Sequence, residues 1–100
     1  MIVVRNVFRL KFGKAREAVA LLKEGVAIQR RLGLAATHLR LLTDVTGPFY
    51  TVVLEITVPS LSDFETTLPK VMGDKDFQAN YQKVAPLVDS GYREIYNIVA

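Results

Sequence analysis

The chain has no cysteine and no tryptophan among its 100 residues, and it has one histidine, His38. Without a thiol there is no disulfide staple, no thiol nucleophile and no thiolate metal site. A single histidine excludes a multi-histidine metal site within one chain. Glycine-rich phosphate loops, paired metal-ligand spacings and nucleophile elbows are missing as well, so neither a metal nor a cofactor is expected. No apolar run is long enough to cross a bilayer. The apolar start is interrupted by Arg5 and Arg9 and has no small-residue cleavage site, so it does not read as a signal peptide. A cytoplasmic protein without a membrane partner is the expectation. Excess charge is lacking too: the net charge is +3, and the cations are scattered, most with acidic neighbours. A nucleic-acid binder gathers them on one face among aromatics, so no nucleic-acid partner is expected.

Apolar side chains are abundant, at 50%. A chain of this length makes one domain, residues 1–100, with little interior. Surplus apolar residues in so small a domain tend to end in a subunit interface or a ligand pocket.

Period-two patterning over residues 2–11 puts Ile2, Val4, Phe8 and Leu10 on one face of a strand. Residues 14–32 change to helical period. Ala15, Ala18, Val19, Leu22, Gly25, Val26 and Gln29 form one stripe, with charges opposite and Gly33 as the stop. A second strand is read over 36–44. The turn Val45-Thr46-Gly47-Pro48 leads into a third strand over 49–58, with Tyr50, Val52, Leu54, Ile56 and Val58 on one face. Ser62 and Glu65 match a capping box for a helix over 63–72. Asp74 caps a further helical stretch whose face is Phe77, Tyr81, Val84 and Val88. Gly91 closes it, and residues 92–99 alternate as a last strand. The order β-α-β-β-α-β predicts an α+β, ferredoxin-like sandwich: a four-stranded antiparallel sheet with its helices on one face.

The other sheet face then carries Val3, Arg5, Val7, Arg9, His38, Arg40, Leu42, Phe49, Thr51, Val53 and Glu55. That set is too apolar for water and too charged for a dry core. A second copy packed on it, with charges pairing across the interface or reaching its rim, fits best, giving a C2 homodimer.

Several polar or aromatic residues are candidates for chemistry. Asn6 is the one polar residue on an apolar strand face, where burial without a partner costs about 1–3 kcal/mol. Gln29 sits in the first helix's apolar stripe one turn from Gly25, which leaves either ligand space or close helix–sheet packing. Tyr50 and Tyr81 are read as looking into the same helix–sheet layer, each offering an apolar body and a hydroxyl. Phe8 and Phe77 would line that layer. His38 is the side chain best suited to proton transfer near neutrality, although its parity aims it at the dimer face.

The stretches Leu10-Lys11-Phe12-Gly13-Lys14, Asp76-Phe77-Gln78-Ala79-Asn80-Tyr81 and Gly91-Tyr92-Arg93-Glu94-Ile95-Tyr96 resemble the dimeric α/β-barrel superfamily over residues 2–99. The resemblance is nearest to the short NIPSNAP-like proteins and the antibiotic-biosynthesis-monooxygenase-like domains. It implies two ferredoxin-like subunits packed sheet to sheet into a barrel, with a pocket inside each subunit between sheet and helices. Asn6 matches the pocket asparagine of the haem-degrading relatives, seven residues before the glycine. Those relatives also carry a histidine on the later helix, and residues 77–88 have none, so haem degradation is not implied. The reading is a homodimeric small-molecule-binding protein, with cofactor-independent oxygenation of an apolar aromatic substrate as its candidate reaction. Asn6, Tyr50, Tyr81 and His38 are then the catalytic candidates, and Asn6, Phe8, Gln29, Tyr50, Phe77 and Tyr81 the ligand contacts. The alternative is a non-catalytic dimeric ligand-sensing or assembly module, favoured if Phe8, Phe64, Phe77 and Tyr81 pack the layer solid.

Overall fold

The computed structural model describes residues 1–33 and 38–100. In chain order it contains β1 (Ile2–Leu10), α1 (Ala15–Arg31), β2 (His38–Thr43), β3 (Thr51–Val58), α2 (Leu61–Met72), α3 (Lys75–Val84) and β4 (Val88–Asn97). The strands form one antiparallel sheet in the order β2-β3-β1-β4. This is the ferredoxin-like arrangement, with the second helical segment divided into α2 and α3. No helix among the described residues is long and apolar enough to cross a membrane.

The period of two sorts the strands as expected. Ile2, Val4 and Leu10 of β1 are buried with Val52, Leu54, Ile56 and Val58 of β3 and Leu39 of β2. Ala18 and Val26 of α1 and Phe64 of α2 close over them. Val4, Val52 and Val58 are essentially inaccessible. Each fully buried side chain of this kind contributes about 1.5–3 kcal/mol, so the β1–β3 centre anchors the fold.

Several boundaries differ from the sequence reading, most by a residue or two. The third strand begins at Thr51, not residue 49. Tyr50 adopts φ 60°, a left-handed conformation uncommon for a residue with a Cβ, while Thr51 donates its backbone N–H to Asp44 Oδ1 (3.0 Å) and its hydroxyl to the Pro48 carbonyl (2.8 Å). These bonds start the strand two residues later than the pattern suggests and leave Phe49 72% exposed, off the sheet. Next, α2 starts at Leu61 with Ser60 as its cap, whose hydroxyl oxygen accepts from the Asp63 N–H at 3.2 Å. Ser60 is still extended, so capping there satisfies the first amides where the strand ends; the Ser62–Glu65 pattern lies two residues too late. α3 starts after Asp74, as expected, with the Phe77 N–H donated to Asp74 Oδ2 at 3.0 Å. It ends at Val84, and Ala85–Leu87 forms a 3-10 turn. Pro86 lacks an N–H to continue the helix, and Val88 has already paired with Leu10. Gly91 is therefore inside β4 rather than at a helix end. A Cβ there would lie 2.9 Å from the Phe8 ring and 3.1 Å from the Val7 carbonyl oxygen, which explains its lack of a side chain. The second strand is described only from His38; its expected first residues, 36 and 37, lie outside the described residues.

Candidate functional site

Strand pairing decides which polar residues share a face. Across the antiparallel ladders Asn6 is level with Leu54 and Arg93, and Phe8 with Val52 and Gly91. Since Val52 and Leu54 belong to the core, this row looks toward the helices. Between that face and α1, α2 and α3 lies a cavity of about 570 Å³. Its walls are mostly apolar, with Phe8, Leu22, Leu54, Phe64, Leu68, Phe77 and Val84 among them. The layer is thus not packed solid by its aromatics. Phe77 and Tyr81 are stacked with centroids 6.5 Å apart, and Tyr81 is 56% exposed, which puts this pair at the mouth.

Three side-chain amides line the cavity and are nine-tenths buried: Asn6, Gln29 and Asn80. Two of them are oriented by hydrogen bonds. Arg93 Nε donates to Asn6 Oδ1 at 2.6 Å. That identifies the oxygen and leaves the Asn6 Nδ2 hydrogens uncommitted. Asn80 Nδ2 donates to the Leu21 carbonyl on α1 at 2.9 Å, leaving Asn80 Oδ1 as an acceptor. Gly25, one turn along α1, admits this contact: a Cβ at Gly25 would lie 2.9 Å from Asn80 Oδ1. The glycine therefore serves the approach of α1 and α3 rather than helix–sheet packing, and it also lines the cavity, as the ligand-space reading of the sequence expected. Gln29 has no side-chain hydrogen bond among the described residues, and its amide is not sealed off: the buried side-chain polar atom without a hydrogen-bond partner among them is Arg5 Nε, on the other face of the sheet.

Of the candidates named from sequence, the structure brings Asn6, Phe8, Gln29, Phe77 and Tyr81 together around the cavity. It separates the other two. Tyr50 stands edge-on to Phe12, with centroids 4.9 Å apart, and lines a shallower depression with Phe12, Arg16 and Phe49 beside the β2–β3 turn. Tyr50 still packs on the helix side of the sheet, against Leu10, Ala18 and Val52, but the turn puts it at the far end of that layer, so Tyr50 and Tyr81 do not share a cavity. His38 is level with Thr57 on the opposite face of the sheet and is exposed, away from the amides. Asn80 and Arg93 were not singled out from sequence. Asn80 falls three residues after Phe77 and four before Val84, on the same helical face, which was the available signal. Arg93 has the parity of Gly91 and Ile95, which β4 turns toward the helices.

The open face is organised in rows across all four strands. Arg40, Glu55, Arg5 and Glu94 form one row, and Leu42, Val53, Val7 and Tyr92 the next. Arg40 donates to Glu55 Oε1 from Nε at 2.9 Å and from Nη2 at 2.7 Å. Arg5 lies 3.6 Å from Glu55 and 3.8 Å from Glu94. These charges pair within the chain, side by side along the row. Tyr96 donates its hydroxyl hydrogen to Glu94; that bond to a carboxylate is the main reason its pKa is raised above the ordinary 10.0. Tyr92 and Tyr96 are exposed on this face.

Similar architectures are found among solved structures. An uncharacterised NIPSNAP domain protein from Burkholderia xenovorans superposes with a TM-score of 0.87 at 20% identity, over 100% of this chain and 96% of its own. A NIPSNAP family protein from Agrobacterium tumefaciens gives a TM-score of 0.85 at 26% identity, over 96% of this chain and 90% of its own. An antibiotic biosynthesis monooxygenase gives 0.79 at 17% identity, with both chains covered completely. No family model and no curated protein matches the sequence. What the chain shares with these NIPSNAP and monooxygenase structures is the ferredoxin-like fold.

Proposed function

We propose that the chain is a single-domain cytoplasmic protein that binds a small apolar, aromatic molecule between its sheet and its helices and pairs with a second copy through its open sheet face. The observation that carries the binding reading is the convergence of Asn6, Gln29 and Asn80, all nine-tenths buried, on one cavity of about 570 Å³. Small-molecule sites have this size and this composition, an apolar wall with a few placed polar groups. Gln29 is the telling member: its amide makes no side-chain hydrogen bond among the described residues and lines the cavity, where a ligand oxygen or N–H would complete it.

No carboxylate or imidazole lines the cavity among the described residues. General acid–base work there would fall to the Tyr81 hydroxyl, with the amides orienting the substrate. Oxygenation without a cofactor suits such a site only if the substrate is itself the reductant, as an electron-rich phenol or enol passing electrons to dioxygen. The antibiotic biosynthesis monooxygenase among the structural neighbours supports that as the candidate reaction. Binding without turnover needs nothing beyond the amides and the apolar wall.

The charged row supports the homodimer. Its signs alternate from β2 to β4 as plus, minus, plus, minus. Turning a second copy over about a two-fold axis parallel to the strands reverses the order. Arg40 then faces the partner's Glu94, Glu55 faces the partner's Arg5, and the apolar row meets its own copy. A two-fold axis along the row would instead oppose like charges. Sheets packed face to face stay within about 30° of alignment, so the inner pairs keep this match best. The acids of the row also oppose nucleic-acid phosphates, although Tyr92 and Tyr96 would offer stacking surfaces.

Thermal denaturation with 1-naphthol tests the binding reading. Ligand at about one hundred times its Kd stabilises a folded protein by about 2.7 kcal/mol, which raises the Tm of a chain this size by several degrees. A smaller rise is expected for Asn6→Ala. Equal rises in both proteins would remove Asn6 from the site, and no rise across a panel of bicyclic aromatics would overturn the reading.

A further inference from the structure

We propose that the ligand of this cavity carries one carboxylate on its apolar body, and that Arg93 receives it at the mouth. The inference rests on the binding reading above and adds the ligand's charge.

Arg93 is the only charged residue lining the cavity among the described residues. It is also a cation without an acid. The ion pairs of the described residues involve Arg5, Arg31 and Arg40, and none reaches Arg93. Its chain neighbour Glu94 is turned to the other face of the sheet, where it pairs with Arg5. The side chain is nevertheless held in place. Nε is fixed on Asn6 Oδ1 at 2.6 Å, and the guanidinium carbon lies 5.3 Å from the centroid of the Phe64 ring, within cation–π range. Both contacts restrain the plane of the guanidinium. They consume Nε and leave the two terminal nitrogens, a pair of parallel donors whose spacing matches the two oxygens of a carboxylate.

The rest of the cavity agrees with a single negative charge. An apolar wall and three neutral amides would not repay the desolvation of a second charged group deeper in. Asn6 couples the two ends of the site, because the amide that faces the interior also positions the cation at the entrance. Arg93 is exposed at the mouth, where water serves it until a ligand arrives, and a dianion would bring one charge more than the lining can neutralise.

The test compares 2-naphthoate with its neutral carboxamide, 2-naphthamide, by isothermal titration against the whole protein at low and at physiological salt. For the wild-type chain the carboxylate is expected to bind about tenfold more tightly than the amide, the scale of one well-formed charge-assisted pair at a partly exposed site, and the preference should shrink as salt rises. Arg93→Gln should remove the preference, lowering 2-naphthoate affinity more than that of 2-naphthamide, which loses only the orientation that Arg93 gives Asn6. Arg93→Lys, which keeps the charge but not the paired donors, should keep only a small part of it. Unfolding curves without ligand establish that both variants fold. Equal affinities in the wild type, or a preference that survives Arg93→Gln, would overturn the carboxylate assignment while leaving the cavity reading intact. Binding of neither probe would overturn both.

Discussion

Arg5 and Asn6 are neighbours on β1, and they meet opposite surroundings. Arg5 is level with Glu55 and Glu94 and lies in a row of alternating charge. Asn6 is level with Leu54 and Arg93 and lies under three helices, beside a cavity. On the open face every charge of the row has an opposite neighbour in the same chain. On the helix face one amide, Gln29, is left without a partner among the described residues, and a second, Asn6, keeps its Nδ2 uncommitted. Polar groups that satisfy one another serve assembly or solubility. Polar groups left open on a largely apolar cavity are available to a ligand.

The comparison breaks most severely at Val7, which is 6% exposed in the middle of the open face's apolar row. Val7→Asp would place a carboxylate, and its copy, against the dimer's apolar centre. Burying an unpaired carboxylate against the partner's apolar row costs several kcal/mol, so sedimentation equilibrium should show association weakened by two orders of magnitude or more, about 3 kcal/mol. Reversing single charges sharpens the same point. Arg40→Glu and Glu94→Arg should each pair poorly with themselves, and mixing the two should restore a heterodimer, since each copy then faces its opposite sign. Failure of the mixture to pair would contradict the axis deduced from the row.

On the helix face the largest effect belongs to Gly25→Ala. Its Cβ meets Asn80 Oδ1 at 2.9 Å, and Asn80 cannot turn away without giving up the Leu21 carbonyl. A cost of about 1–2 kcal/mol is expected in urea unfolding, somewhat offset by the better helix propensity of alanine. Adding Asn80→Ala removes the collision, so the double variant should be less destabilised than the sum of the singles.

Gln29→Leu contrasts with both. Replacing an unpaired buried amide by an apolar side chain of similar size is neutral or stabilising by up to about 1 kcal/mol, while the affinity for 1-naphthol should fall. Loss of stability together with unchanged affinity would mean that Gln29 serves the fold.

The smallest expected effect is at Tyr96. Its hydrogen bond to Glu94 favours the protonated phenol and raises its pKa. That contribution is fully present below pH 10.0, the ordinary tyrosine value, and is lost as pH rises through the higher value of the folded state. In an ultraviolet titration Tyr96 should ionise later in the wild type than in Glu94→Gln.

The sheet was legible in the sequence because alternation of apolar and polar residues is a local signal, and β1 and β3 carry it along nearly their whole length. The hairpin end was not, because Tyr50 continues the apolar parity in sequence while Asp44 and Pro48 hold its neighbour Thr51 in a turn-closing geometry. The start of β4 was hidden by coincidence: Val88 fits the helical spacing of Phe77, Tyr81 and Val84, yet Pro86 has already ended that helix. The site was legible in part. Asn6 and Gln29 stand out as polar residues on apolar faces. Asn80 and Arg93 sit among polar neighbours, and only contacts to residues 59 and 87 positions away bring them to the cavity.

The most direct measurement uses the six side-chain amides of the protein as reporters. Asn6, Gln29 and Asn80 line the cavity, whereas Gln78, Gln82 and Asn97 are exposed outside it. In a nitrogen–proton correlation spectrum titrated with 1-naphthol, the first three amide pairs should shift together along one binding curve while the other three stay in place. Movement of the outer three, or stationary signals from the inner three at saturating ligand, would contradict a binding site between sheet and helices.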